Sequence, residues 1–112
     1  MSGSNPLRVT VRTRQTRCYE LAGRGMLDAP DDCLWILVHG RVNTMNGQSR
    51  IGHAWHEHPE SGLVYDPVFN TTTPKAEYYE GLRAEVVAVF TRAQALEQMV
   101  LTGHWGPWRN EQ

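Results

Sequence analysis

The sequence is poor in cysteine, in net charge and in long apolar runs. Its 112 residues include only two cysteines, Cys18 and Cys33. Two thiols so far apart make neither a disulfide framework nor a paired metal or redox motif. Reduced thiols in a cytoplasmic chain are the expectation, and each cysteine is then either a nucleophile or a small hydrophobe. Eleven Lys and Arg against twelve Asp and Glu leave a formal charge of -1. That balance removes any global reason to expect nucleic acid or an anionic membrane as a partner. No apolar run approaches the ~20 residues that span a bilayer. "MSGSNPLRV" lacks the apolar segment and cleavage site of a signal peptide, so none is expected.

What is present is the makings of a core: 40% hydrophobic residues, with four Trp and four Tyr. The length suits a single domain over 1–112. Charge is concentrated at the start, where Arg8, Arg12, Arg14, Arg17 and Arg24 face one acid, Glu20. Such a cluster is either a solvated basic edge strand or a surface for an acidic substrate.

Along the chain, "LRVTVRT" (7–13) alternates as a short strand. Cys18, Leu21, Ala22 and Met26 have helical spacing, which predicts a helix over 16–27 with Thr16 as N-cap. "CLWILVHGRV" (33–42) reads as a strand buried on both faces. Asn46-Gly47 marks a turn, "RIGHAWHEH" (50–58) a second strand, Pro59-Glu60 a tight break, and 62–69 a third strand. "TTTPKAEYYEGL" predicts a short helix capped by Thr73 with Pro74 at its first position. A buried strand over 83–90 follows. The last helix opens with the capping box Thr91 to Gln94 and stops at Gly103. The tail "HWGPWRNEQ" is expected to fold back, since exposed tryptophans are a liability. Successive hairpins imply an α+β domain: an antiparallel sheet of four or five strands, a cysteine-bearing helix before it, and two further helices.

Three histidines and an aspartate lie in one hairpin. Alternation sends His53, Trp55 and Glu57 to one face and His56 and His58 to the other. With a two-residue turn at Pro59-Glu60, His53 falls opposite Asp66, close enough for a carboxylate to orient an imidazole. Such a pair calls for a nucleophile. Cys18, in the first turn of its helix, has unpaired N–H groups, the helix dipole and Arg17 beside it, all of which favour a thiolate. Those N–H groups also suit an oxyanion hole. Taken alone, Cys18 could be core. Cys33 is expected to be structural, His39 to sit in the core or line the site, and Trp55 to shield His53.

"RCYELAG", "GHAW" and "VYDP" together resemble the transglutaminase-like branch of the papain-like cysteine hydrolases. The order is cysteine on a helix, histidine on a strand, aspartate on the next strand. The resemblance covers residues 15–67 and implies a compact papain-like core with Cys18 as nucleophile, His53 as base and Asp66 as orienting residue. Gln15 lies nearer the cysteine than the family's oxyanion-hole glutamine. It joins Trp55 and His39 as a further candidate for the substrate or oxyanion site. In "HAWHE", His56 stands where an apolar residue is usual. The "TGHWGPW" ending is also similar to small bacterial and phage proteins.

The expected function is a thiol-dependent hydrolase or acyl transferase acting on an amide, ester or thioester, with a peptide or protein as substrate. No metal and no organic cofactor is called for. One rival is a binding or regulatory protein, for example of a phage or mobile element, on the same fold without turnover. The other is a metal-dependent hydrolase using His53, His56 or His58 with Asp66. Oligomeric state is left open.

Overall fold

The computed structural model describes residues 17–44 and 46–108. The strand expected at 7–13, Gln15 and Thr16 lie outside the described residues. Helix α1 spans Cys18–Asp28 and buries Cys18, Ala22, Gly23 and Met26, a stripe at helical spacing. It begins two residues later than the sequence suggests. Arg17 is the N-cap and makes no side-chain capping bond.

Strands β1 (Ile36–Asn43), β2 (Arg50–His58), β3 (Leu63–Asp66) and β4 (Thr71–Pro74) follow, then α2 (Lys75–Leu82), β5 (Glu85–Phe90) and α3 (Arg92–Thr102). The sheet order is β4-β3-β2-β1-β5, and every neighbouring pair is antiparallel. Among the described residues the fold is therefore α+β, with a five-stranded antiparallel sheet, the cysteine-bearing helix ahead of it and two further helices. Four strands meander; β5 returns to the far edge beside β1. No helix among the described residues is long and apolar enough to cross a membrane.

Four expectations need correction. Strand β1 starts at Ile36, so Cys33 precedes it in a loop. "TTTP" forms an edge strand rather than a helix cap, pairing Asp66 with Thr71 and Leu63 with Pro74. Proline is tolerated there because an edge strand has a side without ladder bonds. Helix α2 then starts at Lys75, with Pro74 as N-cap and no capping bond from Thr73. β5 is not buried: it is the last strand of the sheet, and Val86, Val87 and Val89 are 44%, 40% and 48% exposed. Its pairing slips between His39–Ala88 and Gly40–Val86, which leaves Val87 as a bulge.

The last helix behaves as its sequence says. The Thr91 hydroxyl accepts from the Gln94 N–H at 3.2 Å, and the Gln94 amide accepts from the Thr91 N–H at 2.9 Å. Gly103 ends it in the left-handed region at φ 74°. Trp108 folds back and is buried.

Core packs on both faces of the sheet. On one, Leu37 and Ala54 meet Ala22 and Met26 of α1, Ala95 of α3, and Trp108. On the other, Val38, Val42, Trp55 and Val64 meet Tyr78 of α2. Full burial of a Val, Leu or Met side chain among these contributes about 1.5–3 kcal/mol. The second face carries His53 and Asp66.

Candidate active site

The turn between β2 and β3 has four residues, 59–62, not two. Gly62 adopts φ 72° and donates its N–H to the His58 carbonyl at 2.9 Å. His58 pairs with Leu63, Glu57 with Val64 and His56 with Tyr65. The register is thus displaced by two from the one that sets His53 directly opposite Asp66. An even displacement preserves faces, so both side chains still point the same way. Asp66 reaches His53 diagonally.

His53 donates from Nε2 to Asp66 Oδ2 at 2.8 Å. Both are sealed, at 1% and 0% exposure. Asp66 takes two more bonds. Tyr78 of α2 donates its hydroxyl to Oδ2 at 2.6 Å, and the Val68 N–H donates to Oδ1 at 2.9 Å. Burial works against a charge on His53, but the hydrogen bond to Asp66, the nearby Cys18 and their charges outweigh it. The imidazole pKa is raised to about 9.

Cys18 is the first residue of α1, where N–H groups have no carbonyl of their own helix to bind. The β2–β3 ladder ends at His56–Tyr65, so Gly52 and His53 run on past it, and the start of α1 meets β2 there, with Cys18 Sγ 4.0 Å from the Gly52 carbonyl. Cys18 lies close enough to favour the charge on His53. Among the described residues the thiol is turned to the Gly52 carbonyl, and the buried His53 Nδ1 has no partner. Three elements thus bring Cys18, His53 and Asp66 together, with the ring bonded through Nε2 and its other nitrogen unoccupied.

No known protein family, curated protein or solved structure matches the chain.

The other candidates are dispersed. Trp55 lies 6.0 Å from the His53 ring, centroid to centroid, and is fully buried. Its indole N–H donates to Glu57 Oε2 at 2.8 Å. His39 belongs to the opposite face, fully buried among Tyr19, Phe90 and Trp108 with ring centroids 4.8 to 5.2 Å away. It does not join His53. Arg17 is paired with Glu20 at 2.9 Å, and Arg24 reaches the same carboxylate at 2.8 Å. Hydrogen bonds from Arg17 and Arg24 hold the pKa of that carboxyl at about 2, so the guanidinium of Arg17 is engaged by Glu20. Cys33 is half-buried and points to the Trp35 carbonyl at 3.6 Å. His56 and His58 lie on the face away from His53, and His58 Nδ1 accepts from Ser61 Oγ at 2.7 Å. Among the described residues no group of three or more His, Cys, Asp and Glu side chains is arranged to hold a metal.

Two features escape the sequence reading. Tyr78 and Tyr79, adjacent on α2, each bind a buried carboxylate: Tyr78 takes Asp66 and Tyr79 takes Glu57. The signal was the doubled tyrosine in "EYYEG". A buried hydroxyl needs a partner, and two acids on the facing strands supply it.

Proposed function

We propose that the chain is a thiol-dependent hydrolase or acyl transferase of the transglutaminase-like kind, with Cys18 as nucleophile, His53 as proton carrier and Asp66 as the residue that orients the ring. One observation carries this reading. Asp66 fixes His53 through Nε2 and leaves Nδ1 unbonded beside a cysteine at a helix start. A hydrogen-bonded carboxylate sets the tautomer and supports the imidazolium.

In this proposal the ring is already protonated at neutral pH, because its pKa is raised to about 9. Cys18 then reacts as a thiolate beside the imidazolium. Sulfur attacks the carbonyl carbon of an amide, ester or thioester, and N–H groups at the start of α1 stabilise the oxyanion. As the intermediate collapses, Nδ1–H gives its proton to the departing amine, alcohol or thiol. The neutral ring next takes a proton from water or an acceptor amine. Attack on the acyl-enzyme releases the acid or new amide and returns the thiolate and imidazolium.

The second reading, a binding protein without turnover, is favoured by the closure of the site. Cys18 is only 4% exposed, and Asp66 and His53 are sealed. Iodoacetamide alkylation of each cysteine, followed by peptide mass spectrometry on the native chain and on His53→Ala, separates the two. Catalysis requires Cys18 to react in the folded protein, and to react more than ten-fold faster with His53 than without it. If Cys18 stays inert until urea unfolds the chain, the three residues are a structural network and the enzyme reading fails.

A further inference from the structure

The face away from His53 carries a second imidazole with an unused nitrogen. His56 is 7% exposed and donates from Nε2 to the Ala22 carbonyl of α1 at 2.7 Å. A carbonyl only accepts, so the neutral ring keeps its proton on Nε2 and offers Nδ1 as a lone pair. That atom has no hydrogen-bond partner among the described residues and, unlike His53 Nδ1, is not sealed. Burial lowers the pKa of the ring, against the pull of Ala22 and Asp66, so the acceptor persists at neutral pH. Gly25 lies against the ring: a Cβ there would come 2.5 Å from His56 Cε1. The ring is clamped with one acceptor left over.

His56 belongs to the wall of a groove of about 320 Å³, with Met26, Cys33, Trp35, Tyr65 and Thr72 around it. That is the small end of the range of about 300–1,000 Å³ occupied by ligand sites. Tyr65 stacks on His56 at 21° between planes and 6.0 Å between centroids. Among the described residues no charged side chain lines the groove, so an ion would enter it without a counter-charge from them and bear the desolvation cost.

We propose that this groove binds a small, neutral, planar aromatic molecule whose ring N–H or phenolic O–H donates to His56 Nδ1 while its faces lie among Trp35, Tyr65 and Met26. The sheet separates this groove from His53 and Asp66, and Cys18 lies about two helical turns from Gly25 along α1; the site stands whether or not those residues catalyse. The acceptor explains the donor, and the uncharged aromatic lining explains the neutral flat body.

Indole and indene make the test, since they share a shape and differ in the N–H. Calorimetric or NMR titration of the full chain should show indole binding at least about ten-fold more tightly than indene, the worth of one hydrogen bond to an otherwise unpaired buried group. His56→Phe should remove that preference. Equal affinities for the native chain, a preference that survives His56→Phe, or no indole binding at millimolar concentration would each overturn the proposal. Cys33 supplies a check that needs no variant. Saturating indole should slow its alkylation by iodoacetamide several-fold, and indene at the same concentration should not. An unchanged rate with indole bound puts the ligand elsewhere and sinks the assignment.

Discussion

Asp66 holds three donors at once: the His53 ring, the Tyr78 hydroxyl and the Val68 N–H. Two of them share one oxygen, so His53 and Tyr78 compete for the same negative charge. Burial, and then the charge of Asp66, hold the Tyr78 hydroxyl far above its ordinary range, so it remains a donor at every working pH. Removing it in Tyr78→Phe should leave Oδ2 to His53 alone. The loss of a bond to a charged acceptor is worth about 1.5–3 kcal/mol in urea unfolding. More informatively, His53 should titrate higher than in the native chain when followed by NMR of its ring protons. A destabilised variant in which the His53 titration does not move would reduce Tyr78 to packing.

Elements were legible where pattern decided them and obscure where partners did. β2 was read with both its ends, Arg50 and His58, because alternation and the flanking turns agree. The capping box at Thr91 and the stop at Gly103 are local chemistry and survive any tertiary context. β4 was invisible, since three threonines and a proline fit a helix cap as well as an edge strand, and pairing with β3 decided between them. Alternation along the hairpin puts His53 and Asp66 on one face for Cys18 to meet, but with a two-residue turn where the chain has four residues. The face held because the error was even. Tyr78 and Glu57 were not foreseen, because their hydrogen bonds join α2 to the sheet and no spacing along the chain encodes that. β5 illustrates the same limit: its valines suggested burial, yet it is an edge. The bulge at Val87 interrupts the row of backbone groups such an edge offers to another strand. Deleting Val87 should give β5 a continuous ladder with β1 and a flat apolar rim. Sedimentation velocity should then show self-association that rises with concentration and exceeds that of the native chain. If the deletion variant folds and sediments like the native chain, the bulge does not guard this edge.

For the molecule as a whole, two of the buried imidazoles, His53 and His56, pull stability in opposite directions. His53 has a folded pKa of about 9 against an ordinary 6.5. The folded state therefore holds a proton that the unfolded chain releases. Its contribution is complete below pH 6.5 and is lost as pH rises through 9, a fall of about 3 kcal/mol across that window. His56 is shifted downward, so the folded state resists its protonation and stability declines as pH drops below 6.5. Urea unfolding across pH 5 to 10 should give a maximum near 6.5. In Asp66→Asn the decline on the alkaline side should largely disappear. A native chain equally stable at pH 7 and 9.5 would contradict the raised His53 value.

The sheet order also implies a sequence of events as the chain folds. β1 to β4 are joined in chain order by short turns, so their contacts are local and form at small entropic cost. β5 must instead return to β1, pairing Phe90 with Leu37 and Val89 with Val38 across about half the chain. The meander around His53 and Asp66 should therefore assemble early, with β5 and α3 docking late. On that expectation closure of the far edge is the slow step, and the carboxylate–imidazole pair forms before the molecule is whole.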